Sequence, residues 1–496
     1  MNANPDATLV LLRLAGEIST KARETRWRFV SQLLRNVGDA LRSEGIAHEI
    51  ARRHDRLIIE LADKRGVEAL ARVFGVQSVS VALRGPGGSL DEIVARGAEI
   101  FGEAVRGKRF AVRARLIGKP KGLGFRTRDI EVALGEKLRA GALRVDLDDP
   151  EVTAQIEVHE ERAYYFTERI AGEGGLPLGT EGRALALVSG GFDSAVAAWQ
   201  LMRRGLALEY AFFNLGGRTH QAGTQRVMHA LATRWAYGTH PRLHAVDFDA
   251  VSRNLQENAE PRYWQVILKR LMLRAADQLA SELKCPALVT GEALGQVSSQ
   301  TLTNLATISA ATRLPILRPL IGANKDEIIA LAHRIGTGAI SATVAEYCAL
   351  VPRRPATAAS LSVVEAEEAK LDPALIERAV ATRQIIDVRS SDPDASSLPE
   401  LAVDAVPAGA VVIDLSARDE FLRWHLPDSV QLDFARAADA MHAFAREQRY
   451  VAVCAFGLKS AHLAELMRKQ GFDAVHFRGG TSALRKWAEL AGTFRN

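Results

Sequence analysis

Apolar positions along this chain recur with two periods, and the segments they mark outline the fold. Residues 9–14 form an apolar run that predicts an opening strand, after which Phe29, Leu33 and Val37 share one helical face. Residues 52–61 read as a second strand, 67–74 as a short helix and 78–83 as extended chain, which makes a small α+β unit. Alternation over residues 110–116 places Arg113 and Arg115 on the same face of a further strand. From residue 184 the pattern changes. Apolar runs at 184–188, 208–215, 242–248, 287–290 and 315–320 alternate with helical patterns at 195–204, 224–235, 262–283 and 325–335. Strands alternating with helices predict a doubly wound, mainly parallel sheet whose ligands bind beyond the carboxyl ends of its strands. The pattern weakens after Leu350, residues 390–407 read as a linker rich in Ser, Asp and Pro, and a last α/β unit follows.

A chain of 496 residues exceeds what one core usually organises, so several domains are expected. Its 47% hydrophobic and 25% charged residues are ordinary for a soluble protein, and no apolar run approaches the roughly 20 residues of a membrane helix. The first residues have neither a basic region nor an apolar signal core, which leads to the expectation of a cytoplasmic protein with no membrane partner. Three cysteines are too few for a disulfide framework, so each is weighed as a reactive thiol. Cys285, ahead of a strand, has no such context and reads as structural.

The net charge of +5 is unevenly spread. Twelve basic residues between Arg106 and Arg144 are interrupted only by Asp129, Glu131 and Glu136. Such density attracts a phosphodiester backbone by counterion release, although a solvated surface with no ligand stays open as the plainer reading. With no aromatic series beside it, the charge points to RNA shape rather than single-stranded sequence. The basic positions near the start, from Lys21 to Arg35, read as a solvated helix face.

Two stretches carry chemistry. Ser189-Gly190-Gly191-Phe192-Asp193-Ser194 lies between a predicted strand and a predicted helix, so adjacent glycines let the backbone approach a phosphate while the helix N-terminus faces the anion. It lacks the Lys-Ser/Thr of a Walker A loop and the spacing of a dinucleotide fingerprint; an ordinary Gly turn remains the alternative. Cys454 ends a predicted strand, and the loop to Ser460 leads into a helix N-terminus beside Lys459, an arrangement that favours a thiolate nucleophile. A small buried hydrophobe at a strand end is the competing reading.

The first loop resembles the PP-loop of the ATP pyrophosphatases, the basic stretch a THUMP domain, and the segment containing Asp414 to Phe421, His425-Leu426-Pro427 and the Cys454 loop a rhodanese domain. With Gly16-Glu17-Ile18, residues 288–300, Leu317-Arg318-Pro319-Leu320 and Glu346-Tyr347-Cys348, the whole chain resembles the tRNA 4-thiouridine synthetase family. That resemblance implies a ferredoxin-like domain over residues 1–75, a THUMP domain over 76–170, a PP-loop domain over 171–390, a linker over 391–408 and a rhodanese-like domain over 409–496. It implies ATP with Mg²⁺, adenylation of O4 of the uridine at position 8 of tRNA, and sulfur from a persulfide on Cys454 supplied by a cysteine desulfurase. Leu187, Val188, Ser189, Gly190, Gly191, Ser194, Lys269, Gly291 and Gln300 would bind the nucleotide. Asp193 would hold Mg²⁺ or orient adenylation, Lys325 would face phosphate charge behind the N-cap Asn324, and Cys348 would resolve the persulfide. Lys459 stands where the rhodanese loop usually has arginine, which keeps the charge without the bidentate fork. If the resemblance fails, Lys269 and Lys325 are plain helix lysines.

The family suggests a homodimer, and some members also deliver sulfur towards the thiazole of thiamine. A PP-loop ligase or amidotransferase acting on a small molecule is the alternative function, and it leaves the basic stretch and the Cys454 loop without a role. A non-catalytic RNA-binding or sulfur-relay protein is the other, against which stand Asp193 and Lys325.

Overall fold

In the computed structural model, residues 7–118, 124–344, 354–393, 401–434, 437–455 and 457–491 are described, and they build four β-sheets in two compact units. The first unit runs to Glu181 and takes in Arg203–Leu206 and Tyr237–Thr239; the second holds the rest.

In the first unit, β1 (Thr8–Leu14) lies between β3 (Arg56–Leu61) and β4 (Val76–Val81), with β2 (His48–Arg53) and the short β10 (Ile170–Ala171) at the edges. Helix Arg23–Ser43 lays Phe29, Leu33 and Val37 on this sheet, against Val10, Leu12, Leu57 and Ile59. The single strand expected over residues 52–61 is instead a hairpin, with Arg53 opposite Arg56 around a two-residue turn. His54 takes φ 52 there. His and Asp tolerate this left-handed region without Gly or Pro, so the polar run Arg-Arg-His-Asp-Arg hides the turn.

The second sheet of this unit has the order β5 (Leu83–Pro86), β9 (Arg162–Phe166), β8 (Val152–His159), β6 (Arg109–Ile117), β7 (Arg144–Val145). Helices Leu90–Val105 and Thr127–Arg139 cover it through Phe101, Ile130 and Leu134. Arg113 and Arg115 project from β6 into solvent, as the alternation predicts. Glu157 of β8 is fully buried and accepts Nε of both Arg13 and Arg56 at 2.9 Å, a charged pin between strands of the two sheets.

The second unit contains the doubly wound sheet, in the order β15 (Ile316–Leu317), β14 (Leu288–Val289), β11 (Arg183–Leu187), β12 (Ala207–Asn214), β13 (Arg242–Asp247), β16 (Gln384–Asp387). Its first five strands are parallel; β16 is antiparallel to β13. The weak pattern after Leu350 therefore concealed structure: helices Leu361–Glu368 and Ala374–Ala381 precede this edge strand. Only Ile386 of β16 is buried, so a half-exposed edge carries no apolar run to read. A last sheet, β17 (Ala402–Val403), β21 (Asp473–Phe477), β20 (Arg449–Val453), β18 (Val411–Asp414), β19 (Val430–Gln431), is parallel throughout. Helices Leu458–Lys469 and Gly480–Leu490 belong to it. Among the described residues no helix is long and apolar enough to cross a membrane.

Candidate active site

The loop after β11 is as tight as its glycines require. Gly190 has φ +76, and a Cβ there would lie 2.9 Å from Thr224 Oγ1 and 3.0 Å from Thr224 Cα. Ser194 closes the turn: its hydroxyl accepts the Ser189 N–H and donates to Gly191 O, both at 3.3 Å. Helix Phe192–Arg203 starts at once, with Asp193 in its first turn. From the next parallel strand, Gly291 presses so closely that a Cβ would sit 2.7 Å from the Asp193 carbonyl carbon and 2.8 Å from Ser194 N. Two strand ends thus share one backbone surface.

Lys325 donates from Nζ to both oxygens of Asp193, at 2.8 and 3.0 Å, and Gln296 Nε2 adds a third bond at 3.1 Å. Asn324 and Glu327 form the reciprocal capping box expected from their spacing, which fixes the first turn that presents Lys325. Lys269 of helix Trp264–Leu283 meets Glu292 at 3.1 Å, and Arg318 Nε reaches the other Glu292 oxygen at 2.7 Å. Burial would raise the Glu292 carboxyl, but Lys269 and Arg318 hold it below the ordinary carboxylate value.

Leu187, Val188, Ser189, Asp193, Ser194, Lys269, Gly291 and Gln300 line one cavity of about 340 Å³. The amide oxygen of Gln300 is buried there with no hydrogen-bond partner among the described residues. Apolar walls come from Phe212, Phe213 and Met272, and the rest of the lining is rich in backbone and charge, with Lys269 beside Asp193 and Glu292. Gly190 and Gly191, expected to bind nucleotide as well, are not among the cavity's lining residues. Glu292, Arg318, Gln296 and His220 had no role assigned from sequence. Glu292 and Arg318 lie inside the stretches that carry the resemblance, whereas His220 has no local signal. It is buried, donates from Nε2 to the Ser189 carbonyl at 3.2 Å, and is pushed down to about 4 by burial, against that hydrogen bond.

Cys454 follows β20 and is buried. Its Sγ accepts the N–H of Gly457 at 3.1 Å and of Ser460 at 3.4 Å, with the Ser460 hydroxyl also 3.4 Å away. Gly457, at φ +89, turns the chain into helix Leu458–Lys469. From the other side Gly480 comes so close that a Cβ would lie 2.5 Å from Cys454 O. The sulfur is ringed by donors. Cys348 falls outside the described residues. Cys285 is buried, and burial raises its thiol, which makes it a poor nucleophile.

On the first unit, Arg113, Arg115, Arg128, Lys137 and Arg139 are exposed. Part of the basic stretch is neutralised: Arg109 pairs with Asp149 at 2.7 Å and Arg144 with Asp146 at 2.9 Å. Lys119 and Lys121 lie outside the described residues.

Family profiles match along the chain: a ThiI ferredoxin-like domain at residues 9–80, a THUMP domain at 88–168, the thiamine biosynthesis protein ThiI at 179–372 and a rhodanese-like domain at 398–486. A tRNA sulfurtransferase of Pyrobaculum aerophilum is 38% identical over 96% of this chain and 98% of its own length. Those of Desulfurococcus amylolyticus and Shewanella pealeana are 35% and 33% identical, covering 97% and 94% of this chain and 98% of their own. A solved structure of a 4-thiouridine synthetase–RNA complex with bound ATP is 29% identical, with a TM-score of 0.66 over 76% of this chain and 99% of that one. Relatives matched end to end at this identity leave one conclusion: the chain belongs to the tRNA sulfurtransferase family.

Proposed function

We propose that the chain makes 4-thiouridine at position 8 of tRNA. The observation that carries this reading is the pairing, within one compact unit, of a glycine cradle bearing Asp193 and Lys325 with a donor-ringed Cys454. ATP lies with its base against the apolar walls near Gln300 and its phosphates on Ser189 to Ser194. Lys325 moves from Asp193 to the phosphates as charge develops on them. O4 of the uridine attacks the α-phosphorus, pyrophosphate leaves, and AMP remains on the base as the group that sulfur displaces from C4. Exposed arginines of the first unit bind the RNA backbone.

Sulfur arrives from a cysteine desulfurase as the outer atom of a Cys454 persulfide. The Cys348 thiolate attacks the inner sulfur, releasing sulfide and leaving a Cys348–Cys454 disulfide for an external dithiol to reduce. No group of three or more His, Cys, Asp or Glu that could hold a metal occurs among the described residues. Asp193 is the one carboxylate of the loop that would hold Mg²⁺ beside the triphosphate, where the ion would neutralise phosphate charge. A homodimer is the expected form by family likeness, and the cytoplasm its expected place from the composition of its first residues. Because the Cys454 cradle is built apart from the nucleotide cavity, the same persulfide can serve a second acceptor, and the profile named for thiamine biosynthesis favours the thiazole precursor.

The test is incubation of the chain with unmodified tRNA, Mg·ATP, a desulfurase and cysteine, followed by nucleoside analysis. 4-Thiouridine is expected; its absence while Cys454 is demonstrably persulfidated overturns the reading. Pyrophosphate exchange that needs no RNA would support a small-molecule ligase instead.

A further inference from the structure

Helix Gly217–Trp235 begins beside the ATP loop, where its His220 donates to Ser189 O. The first N–H groups of a helix need acceptors, yet no side chain of its own N-cap supplies one. The acceptor comes from far along the chain. Glu465 Oε2 takes the N–H of Arg218 at 2.9 Å, across 247 residues. Glu465 sits on helix Leu458–Lys469, whose opening turn holds the Cys454 sulfur. With 4% of its surface exposed, its carboxylate is costly to bury, and Lys469 Nζ lies 3.1 Å from the other oxygen as an ion pair without a hydrogen bond to it.

The backbone at Gly217 is shaped for this contact. Its φ is +70, and a Cβ there would fall 2.5 Å from His462 Nδ1 and 2.6 Å from Glu465 Oε2. His462 is held in turn against Phe434, ring centroids 5.9 Å apart. A side chain at residue 217 would have to displace His462 and Glu465 from this contact.

We propose that Glu465 and His462 form a latch that docks the sulfur-carrying domain on the helix next to the ATP loop, with Glu465 a positioning residue for sulfur transfer. One helix carries the Cys454 cradle at its start and the latch about a turn and a half later, so the latch fixes where the sulfur stands. The functional half of this inference rests on the sulfur-transfer reading above.

The full-length chain is loaded with persulfide on Cys454 and mixed with tRNA and Mg·ATP in a single turnover. Glu465→Ala should slow sulfur transfer by about ten-fold or more, as misplacement of reacting groups does, while persulfide loading and pyrophosphate release stay unchanged. Glu465→Gln, which keeps an acceptor oxygen, should fall between. Gly217→Val, which leaves the sulfur-carrying domain untouched, should reproduce the Ala defect. Hydrogen exchange at the Arg218 amide should quicken in Glu465→Ala. Transfer at the wild-type rate despite faster exchange, unchanged exchange, or joint loss of loading and pyrophosphate release would each overturn the latch. If wild-type chain yields no 4-thiouridine, the functional reading falls, while amide exchange still reports on the contact.

Discussion

Lys325 and Asp193, 132 residues apart, close on each other at 2.8 and 3.0 Å across the mouth of the phosphate cradle. Each neutralises the other, and in the proposed mechanism phosphate competes for the lysine. Asp193→Ala should lower ATP-dependent pyrophosphate release by at least about 100-fold, a loss typical of removing one group that stabilises developing charge. Persulfide loading of Cys454 should be unaffected, since its donors are local. Both activities are read in one preparation, by pyrophosphate assay and by mass spectrometry of Cys454. Their joint loss would mean the labour is wrongly divided.

Gly291 allows a second test. A Cβ there would overlap the Asp193 and Ser194 backbone, which cannot rotate away as a side chain would. Gly291→Ala should cost about 1–3 kcal/mol of stability by overpacking and weaken ATP binding more than it affects the Cys454 loop. Thermal unfolding with and without ATP measures both; an ATP-induced shift as large as that of the wild type would contradict the close approach.

Much of this site was legible because its signals are local. Paired glycines between strand and helix, Asn324 three residues before Glu327, and Cys454 ahead of a helix start each lie within a few residues. The Asp193–Lys325 contact was not legible, since helix-start lysines are common and nothing near Lys325 announces a partner 132 residues away. His220, Glu292 and Arg318 escape a sequence reading for the same reason: their partners lie on other helices and loops, 26 to 31 residues away for the Ser189 and Arg318 contacts and 23 for Lys269. In the fold, long apolar alternation was read correctly, whereas the His54 turn and half-exposed β16 lacked Gly, Pro or an apolar run to mark them.

In the first unit, Glu157 is fully buried between two arginines. Burial would raise its carboxyl, but His159, Arg13 and Arg56 hold it well below the usual range. Glu157→Ala leaves both guanidiniums buried without their shared partner and should destabilise by about 3–5 kcal/mol. Urea unfolding of the full chain checks this; a change below about 1 kcal/mol would show that solvent reaches the arginines.

His220 links acidity to stability. Its folded value of about 4 lies below the ordinary 6.5, so the unfolded chain takes up a proton that the folded chain refuses. Stability is therefore complete above about pH 6.5 and drains away as pH falls towards 4, by on the order of 3 kcal/mol. His476, also pushed down to about 4 chiefly by burial, acts with the same sign. His220→Gln should remove roughly half of the combined slope in a plot of unfolding midpoint against pH, each histidine contributing alike. A slope identical to that of the wild type would show that His220 is protonated in the fold.

The antiparallel strand β16 bears on how the chain is made. On the ribosome, β13 emerges with its outer ladder of N–H and C=O groups bare, and its cover is not synthesised until the chain has run on from Arg242 to Gln384. Through that interval the nascent sheet offers a sticky edge to any neighbouring strand. A chain cut before Gln384 keeps that edge for good, so shortened forms ending there are built to aggregate however intact their nucleotide cavity.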